Sequence, residues 1–307
     1  MKILLIAGGW SSEREISLIG ARGMKAAIEA LGHTVTMFDP ALEFDHLMEQ
    51  ASRHDFAMLN LHGTAGEDGL IQAMLDNTGC PYNGAGPTGS FLAVHKACSK
   101  QVFRRVGIPT ADWEYLPLRP APDWKSSLPY PVFVKSNMGG SSLHMGRATC
   151  HEELHALIDD IFNVGDTVLV EREIHGREVT CAVLGDLVLP PILIEPMKGD
   201  FFDYESKYAH DGAREICPAP IGEALTRKVQ EYTVQACEAL ALDGYGRADF
   251  MLDDDDGLHI LEVNTLPGMT PTSLVPHAAA TAGMDFPALM DALIHLGIER
   301  SRIRNRR

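Results

Sequence analysis

Apolar runs and amphipathic stretches alternate through the first eighty residues. Lys2–Ala7 is an almost unbroken apolar run of strand length; Gly8-Gly9-Trp10 reads as a turn, and Ser12-x-x-Glu15 as a capping box opening an apolar-striped helix toward Gly32. Strands over Thr34–Phe38 and Phe56–Leu61 follow, with helical segments between them. This alternation predicts a parallel sheet. The unit is expected to close near Gly84-Ala85-Gly86-Pro87.

Beyond it the pattern predicts one long helix over Thr88–Val106, stopped by Gly107 and Pro109, then a connecting loop marked by Pro117, Pro120, Pro122, Pro129 and Pro131. Strand Val132–Lys135, a Gly/Ser run over residues 136–142, strand Leu143–Arg147, helix His151–Asn163 and strand Val168–Glu171 make a small α+β unit. The remainder reads as strands Glu178–Leu184 and Leu187–Glu195, a polar loop over Met197–Cys217, a helix over Gly222–Leu242, a hairpin and a helical end. The hairpin joins Tyr245–Leu252 to Leu258–Asn264 through Asp253-Asp254-Asp255-Asp256, a run that suits a solvated turn. The expected class is therefore α/β and α+β, divided at 1–87, 88–172 and 173–307.

Composition narrows the function. With 307 residues the chain can form about two domains, or three small ones, at roughly 150 residues each. A net charge of −16 argues against a nucleic-acid partner, because phosphate neutralisation needs a basic footprint. The apolar start is too short for a signal or membrane segment, so a cytoplasmic protein with no membrane association is expected. Six scattered cysteines without a C-x-x-C pair suit reduced thiols rather than disulfides or zinc. Five arginines among the last eight residues (Arg300, Arg302, Arg304, Arg306, Arg307) read as a frayed solubilising end.

The hairpin carries the most chemistry. A four-residue turn sets Leu252 against Gly257 and Arg247 against Glu262, so Arg247, Asp249, Glu262 and Asn264 share one face, and Ala248, Phe250, Leu261 and Val263 pack on the other. Oxygen ligands from Asp249, Glu262 and Asn264 suit Mg²⁺; a cross-strand Arg–Glu pair on an exposed sheet is the competing reading. The Gly139-Gly140-Ser141-Ser142 loop offers backbone N–H groups to phosphate, with Lys135 and Lys96 supplying charge, or is simply a flexible connection. It is neither a Walker A nor a G-x-G-x-x-G motif. With Glu15 used by the capping box, Glu13 at the first helical position is left to project where parallel sheets bind ligands, and could hold a substrate ammonium; helix-dipole complementarity would equally place an acid there. His62 ends the third strand at the same sheet edge. Asp203–Tyr208 has the length and polarity of a lid, or of a surface Ω-loop.

Together these segments resemble the D-alanine–D-alanine ligase family of ATP-grasp enzymes. The resemblance rests on Gly8-Gly9-x-Ser-x-Glu13-Arg14-Glu15, Leu61-His62-Gly63 with Gly66-Glu67-Asp68-Gly69, Gly140-Ser141-Ser142, and Asp203-Tyr204-x-x-Lys207-Tyr208. It continues through Gly246-Arg247-x-Asp249 and Leu261-Glu262-x-Asn264-Thr265-x-Pro267-Gly268-Met269-Thr270 to Ser273-Leu274-Val275-Pro276, and so covers nearly the whole chain.

The resemblance implies three domains, with ATP between the central and C-terminal ones. It implies phosphorylation of one D-alanine and attack by a second, for peptidoglycan precursor synthesis. Glu13 would bind the first ammonium, latched by Ser141 and Tyr208, with His62 beside that substrate. Lys96, Lys135, Ser142 and Lys207 would face the nucleotide phosphates, Glu178 the ribose, and Glu171 the adenine side. Asp249, Glu262 and Asn264 would ligate two Mg²⁺ or Mn²⁺ ions; Arg247 and the Gly268 N–H would stabilise the oxyanion, and Ser273 with Leu274 would receive the second carboxylate. A homodimer is also implied. Ser136 and Gly139 depart from the family's usual Lys-Pro and acidic residue before Gly-Ser-Ser. Tyr208 stands where depsipeptide-forming relatives carry His, which points to an amine acceptor. The same machinery could serve D-lactate or D-serine, or persist in a nucleotide-binding regulator without turnover.

Overall fold

In a computed structural model the protein is described over residues 1–140, 144–196 and 213–304. Ser141, Ser142, Lys207, Tyr208 and the rest of the 203–208 segment, Arg306 and Arg307 lie outside the described residues.

Strands β1 (Lys2–Ala7), β2 (Thr34–Phe38) and β3 (Phe56–Asn60) form a parallel sheet in the order β2-β1-β3. β3 and all but the first residue of β1 are buried, as strands covered on both faces require, while β2 exposes Thr34, Thr36 and Met37 at the sheet edge. Helix α1 (Arg14–Ala30) packs on this sheet; α2 (Pro40–Glu43), α3 (Leu47–Ser52) and α4 (Leu70–Thr78) follow. The capping box does not form: α1 starts after Glu13, Ser12 is exposed, and the Glu13 N–H donates to Ser11 Oγ at 3.2 Å. Ser11 wins this role because Arg14 N–H also donates to its carbonyl, closing a turn one residue earlier than the sequence pattern suggests.

The long helix expected over 88–106 is two, α5 (Pro87–Val94) and α6 (Lys96–Arg105). His95 breaks the path at ψ 88°; its ring accepts from the Cys98 N–H at 3.2 Å, and the Lys96 N–H is drawn to the Asn137 carbonyl at 3.1 Å. A four-stranded antiparallel sheet follows in the order β4-β7-β5-β6, from β4 (Trp113–Leu116), β5 (Val132–Ser136), β6 (Met145–Ala148) and β7 (Val168–Arg172), covered by α7 (His151–Asn163). β4 lies just before the proline-marked loop, in residues for which the sequence pattern predicts no element.

The last sheet contains β8 (Gly176–Leu184), β9 (Leu187–Val188), β10 (Ile192–Pro196), β11 (Ala213–Ile216), β12 (Tyr245–Asp253) and β13 (Leu258–Asn264), in the order β11-β10-β8-β12-β13 with β9 on β8. The single strand expected over 187–195 is split because Pro190 and Pro191 cannot donate to a ladder, and β11 occupies part of the expected polar loop. Helix α8 (Glu223–Ala239) covers one face; α9 (Leu274–Thr281) and α10 (Phe286–Arg304) complete the chain. No described helix is long and apolar enough to cross a membrane, and all six cysteines are free.

The two ends of the chain share one core. Leu289, Met290, Leu293 and Ile294 of α10 pack with Ile3, Leu5, Phe56 and Met58 of the first sheet. Within the arginine-rich end, Arg300 and Arg304 are therefore docked rather than frayed as expected. Arg300 stacks 4.1 Å from the Tyr82 ring centroid and donates to the Tyr82 carbonyl at 3.2 Å and to the Gly84 carbonyl, while Arg304 pairs with Asp76. Gly297 permits this docking: a Cβ there would meet the Tyr82 carbonyl and come within 2.7 Å of Phe56. Gly297→Ala is expected to destabilise the protein by about 1–3 kcal/mol, the usual cost of overpacking. A lower urea midpoint at unchanged m-value is the expected result.

Candidate active site

The β12–β13 hairpin brings the four expected polar residues to one face by a different register. Leu252 pairs with Leu258 and Phe250 with Ile260; a bulge then inserts Leu261, so Asp249 faces Glu262 and Arg247 faces Asn264. Leu261 is thus half-buried in the bulge rather than part of the apolar ladder. The turn is one residue longer than expected because Asp253 folds over it, accepting from the Asp255 and Gly257 N–H groups at 3.0 and 2.6 Å.

Arg247 does not pair with Glu262. Its Nε and Nη2 donate to the two Asp249 oxygens at 2.9 and 2.7 Å, while Asn264 Nδ2 and Thr180 Oγ1 donate to the same carboxylate at 2.9 and 2.5 Å. Burial opposes the guanidinium charge, but Asp249, Glu262 and Glu178 outweigh it and push the Arg247 pKa up. Glu262 instead meets Lys96, 3.1 Å away at the start of α6, and Lys96 also donates to the Gly139 carbonyl at 2.6 Å.

The Gly/Ser loop is anchored at its base. Asn137 Oδ1 accepts from the Ala97 N–H at 2.9 Å, Met138 N–H donates to Asp166 at 3.0 Å, and Ser136 Oγ donates to the same carboxylate. Ser136, a departure from the family pattern, thus supplies a hydroxyl staple. Gly140 stands against Glu13: a Cβ on it would lie 3.4 Å from Glu13 Oε2. Behind the loop, Glu171 is buried between Lys100 and Lys135, paired with both. Burial alone would raise its pKa, but the two ammonium groups hold it down to about 2.

Glu13, His62, Glu178, Arg247, Asp249, Glu262, Asn264, Gly268, Ser273 and Leu274 line one cleft. Lys96 lines an adjoining recess with Gly139, Gly140 and Glu262, whereas Lys135 and Glu171 line neither. Sequence reasoning gave no role to Glu67, Glu215, Thr180 or Lys100. Glu67 was visible only as part of the Gly66-Glu67-Asp68-Gly69 motif, and nothing in the pattern marks the other three. His62 is buried, and desolvation, with Arg247 adding to it and Glu13 opposing, lowers its pKa and favours the neutral ring. Glu215 is shifted upward by burial, which its partner His277, 3.4 Å away, only partly offsets.

Asp249 and Glu262 face each other with Asn264 beside them, a hard, oxygen-only donor set suited to Mg²⁺ or Mn²⁺. Among the described residues no group of three or more His, Cys, Asp or Glu side chains is placed to hold a metal; two carboxylates and an amide suit Mg²⁺, which keeps waters and substrate oxygens in its shell. Lys96 and Arg247 supply the positive charge these acids require.

Glu67 accepts from the Gly63 N–H at 2.6 Å, yet burial, with Glu13 and Glu262 nearby, raises its pKa to about 8. The folded protein holds this proton after the unfolded chain has released it, so the folded state loses stability as pH rises from about 4.5 to about 8. Glu67→Gln removes that slope. Thermal melts without nucleotide or metal are expected to show the variant gaining on the wild type across this window; a difference independent of pH would contradict the assignment.

The model of the family "D-ala D-ala ligase C-terminus" matches residues 102–295. The chain is 61% identical over 298 residues to the D-alanine–D-alanine ligase of Desulfovibrio desulfuricans, covering 97% of each. It is 52% identical over 302 residues to that of Lawsonia intracellularis, covering 98% of this chain and 100% of the relative. The solved D-alanine–D-alanine ligase of Bacillus anthracis complexed with ATP superposes with a TM-score of 0.87 at 32% identity over 99% of both chains. Sequence relatives and solved structures agree over nearly the full length, and the chain belongs to the D-alanine–D-alanine ligase family, with its ATP-grasp fold.

Proposed function

We propose that the protein joins two D-alanine molecules through an acyl phosphate at the expense of ATP, supplying a peptidoglycan precursor. The observation that carries this reading is the convergence of Glu13, Arg247 and the opposed pair Asp249 and Glu262 on one cleft. Glu13 holds the ammonium of the first D-alanine. The neutral His62 beside it does not compete for that carboxylate. A carboxylate oxygen of this substrate attacks the γ-phosphorus and ADP leaves; the amine of the second D-alanine then attacks the activated carbonyl, loses a proton, and phosphate departs.

Arg247 is built for the second step. Asp249 grips its Nε and Nη2, which fixes the guanidinium plane and leaves Nη1 to meet the developing oxyanion together with the Gly268 N–H. Ser273 lies against Gly268, since a Cβ there would stand 2.9 Å from Ser273 Oγ, and with the N-terminus of α9 at Leu274 it receives the second carboxylate. Lys96 and Lys135 contact phosphate oxygens, Glu178 the ribose and Glu171 the adenine edge. Ser141, Ser142, Lys207 and Tyr208 complete the latch and phosphate contacts by family resemblance. Two Mg²⁺ or Mn²⁺ ions, held by Asp249, Glu262 and Asn264, would neutralise the polyphosphate charge. The family resemblance also supports the division at 1–87, 88–172 and 173–307, a homodimer, and a cytoplasmic, membrane-free setting.

A coupled assay is expected to show D-alanine-dependent ADP release with Mg-ATP; its absence sinks the reading. Arg247→Ala is expected to lower kcat by a factor on the order of 10² to 10³, the scale for losing an oxyanion donor. Glu262→Gln is expected to cripple turnover and to raise the Mg²⁺ concentration needed for half-maximal rate.

A further inference from the structure

Lys100 is fully buried and lies outside the cleft. Its Nζ pairs with one Glu171 oxygen while Lys135 takes the other. It also donates to Thr110 Oγ1 at 2.6 Å, and that hydroxyl donates to the Ile260 carbonyl at 2.8 Å. Ile260 precedes Glu262 by two residues on β13, and its N–H donates to the Pro109 carbonyl at 2.8 Å. One ammonium group thus joins the acid of β7 to the strand that carries the hairpin carboxylate.

Two lysines are more than one buried carboxylate needs. A buried ion pair is weak evidence of added stability, since well-packed apolar residues often serve as well, so the second cation calls for a different reason. Lys135 is the more exposed of the two, whereas Lys100 is enclosed by Thr110 and by Trp113, whose ring centroid is 5.4 Å from its Nζ. If Lys135 turns toward phosphate when nucleotide binds, Glu171 keeps a counter-charge only through Lys100.

We propose that Lys100 is a positioning residue that holds the Glu171 carboxylate at the nucleotide base and thereby sets the preference for adenine over guanine. The inference rests on the reading that Glu171 meets the base. Adenine presents an exocyclic N–H donor on the edge where guanine presents a carbonyl oxygen, so an ionised carboxylate fixed there accepts from the first and repels the second.

The test compares kcat/KM for ATP and GTP in wild type, Lys100→Met, Glu171→Gln and the double variant, with near-UV circular dichroism to confirm folding. Lys100→Met is expected to reduce the ATP-over-GTP ratio by on the order of tenfold, through KM for ATP, with KM for D-alanine unchanged. In the Glu171→Gln background the added Lys100→Met change is expected to leave the ratio where it was. An unchanged ratio in a folded Lys100→Met protein, or equal losses in both backgrounds, overturns the inference. Should Lys100→Met not fold, the double variant, in which only Lys135, the more exposed of the two lysines, keeps its charge beside the amide at position 171, decides against Glu171→Gln alone: an equal ratio supports the inference and a lower one overturns it. Wild type without D-alanine-dependent ADP release would instead defeat the underlying reading.

Discussion

A carboxylate is costly to take out of water unless a cation meets it, and three such meetings organise this protein. Asp249 is gripped by Arg247 within the hairpin; Glu262 is met by Lys96 at the start of α6; Glu171 lies between Lys100 and Lys135. Two of the three join a strand to helix α6. The same α6 helix supplies Lys96 and Lys100, so the break at His95 matters: it redirects the chain where a lysine must reach the hairpin and binds the helix start to Asn137 at the base of the Gly/Ser loop.

These pairings also reconcile a net charge of −16 with an anionic nucleotide. A net charge far from zero favours solubility, while Lys96 and Arg247 stand where the proposed reaction would bring phosphate and an oxyanion. The cleft itself is rich in acids, as the ammonium groups and metal ions of the proposed reaction would require. Glu13 faces the Gly/Ser loop from the first sheet, Asp249 and Glu262 from the last, so both ends of the chain must be held together for the site to exist. The docking of α10 on the first sheet, with Arg300 over Tyr82, does this mechanically.

Most of the fold was legible because its signals are local and periodic. Strands β1 and β3 are mainly apolar runs, and the hairpin alternates on either side of an acidic turn. What escaped has no local signal. The Leu261 bulge depends on a register set from both strands and from the β8 neighbour, and two errors, in turn length and in the bulge, left the right four residues on one face. His95 carries neither Gly nor Pro to announce a break. The arginines near the end read as solvent-seeking until Tyr82 and Asp76 are placed beside them, more than two hundred residues away in sequence. In the site, the motif residues were recognisable from their spacing, whereas Lys100, Thr180 and Glu215 act through partners that sequence distance conceals.

The central claim is that the first D-alanine is activated as an acyl phosphate in the cleft between Glu13 and the hairpin. Its most direct test is D-alanine labelled with oxygen-18 in both carboxylate oxygens, with mass analysis of the phosphate released. One labelled oxygen is expected in each phosphate formed with dipeptide, because the attacking carboxylate oxygen leaves with the phosphoryl group. Unlabelled phosphate accompanying dipeptide would contradict it.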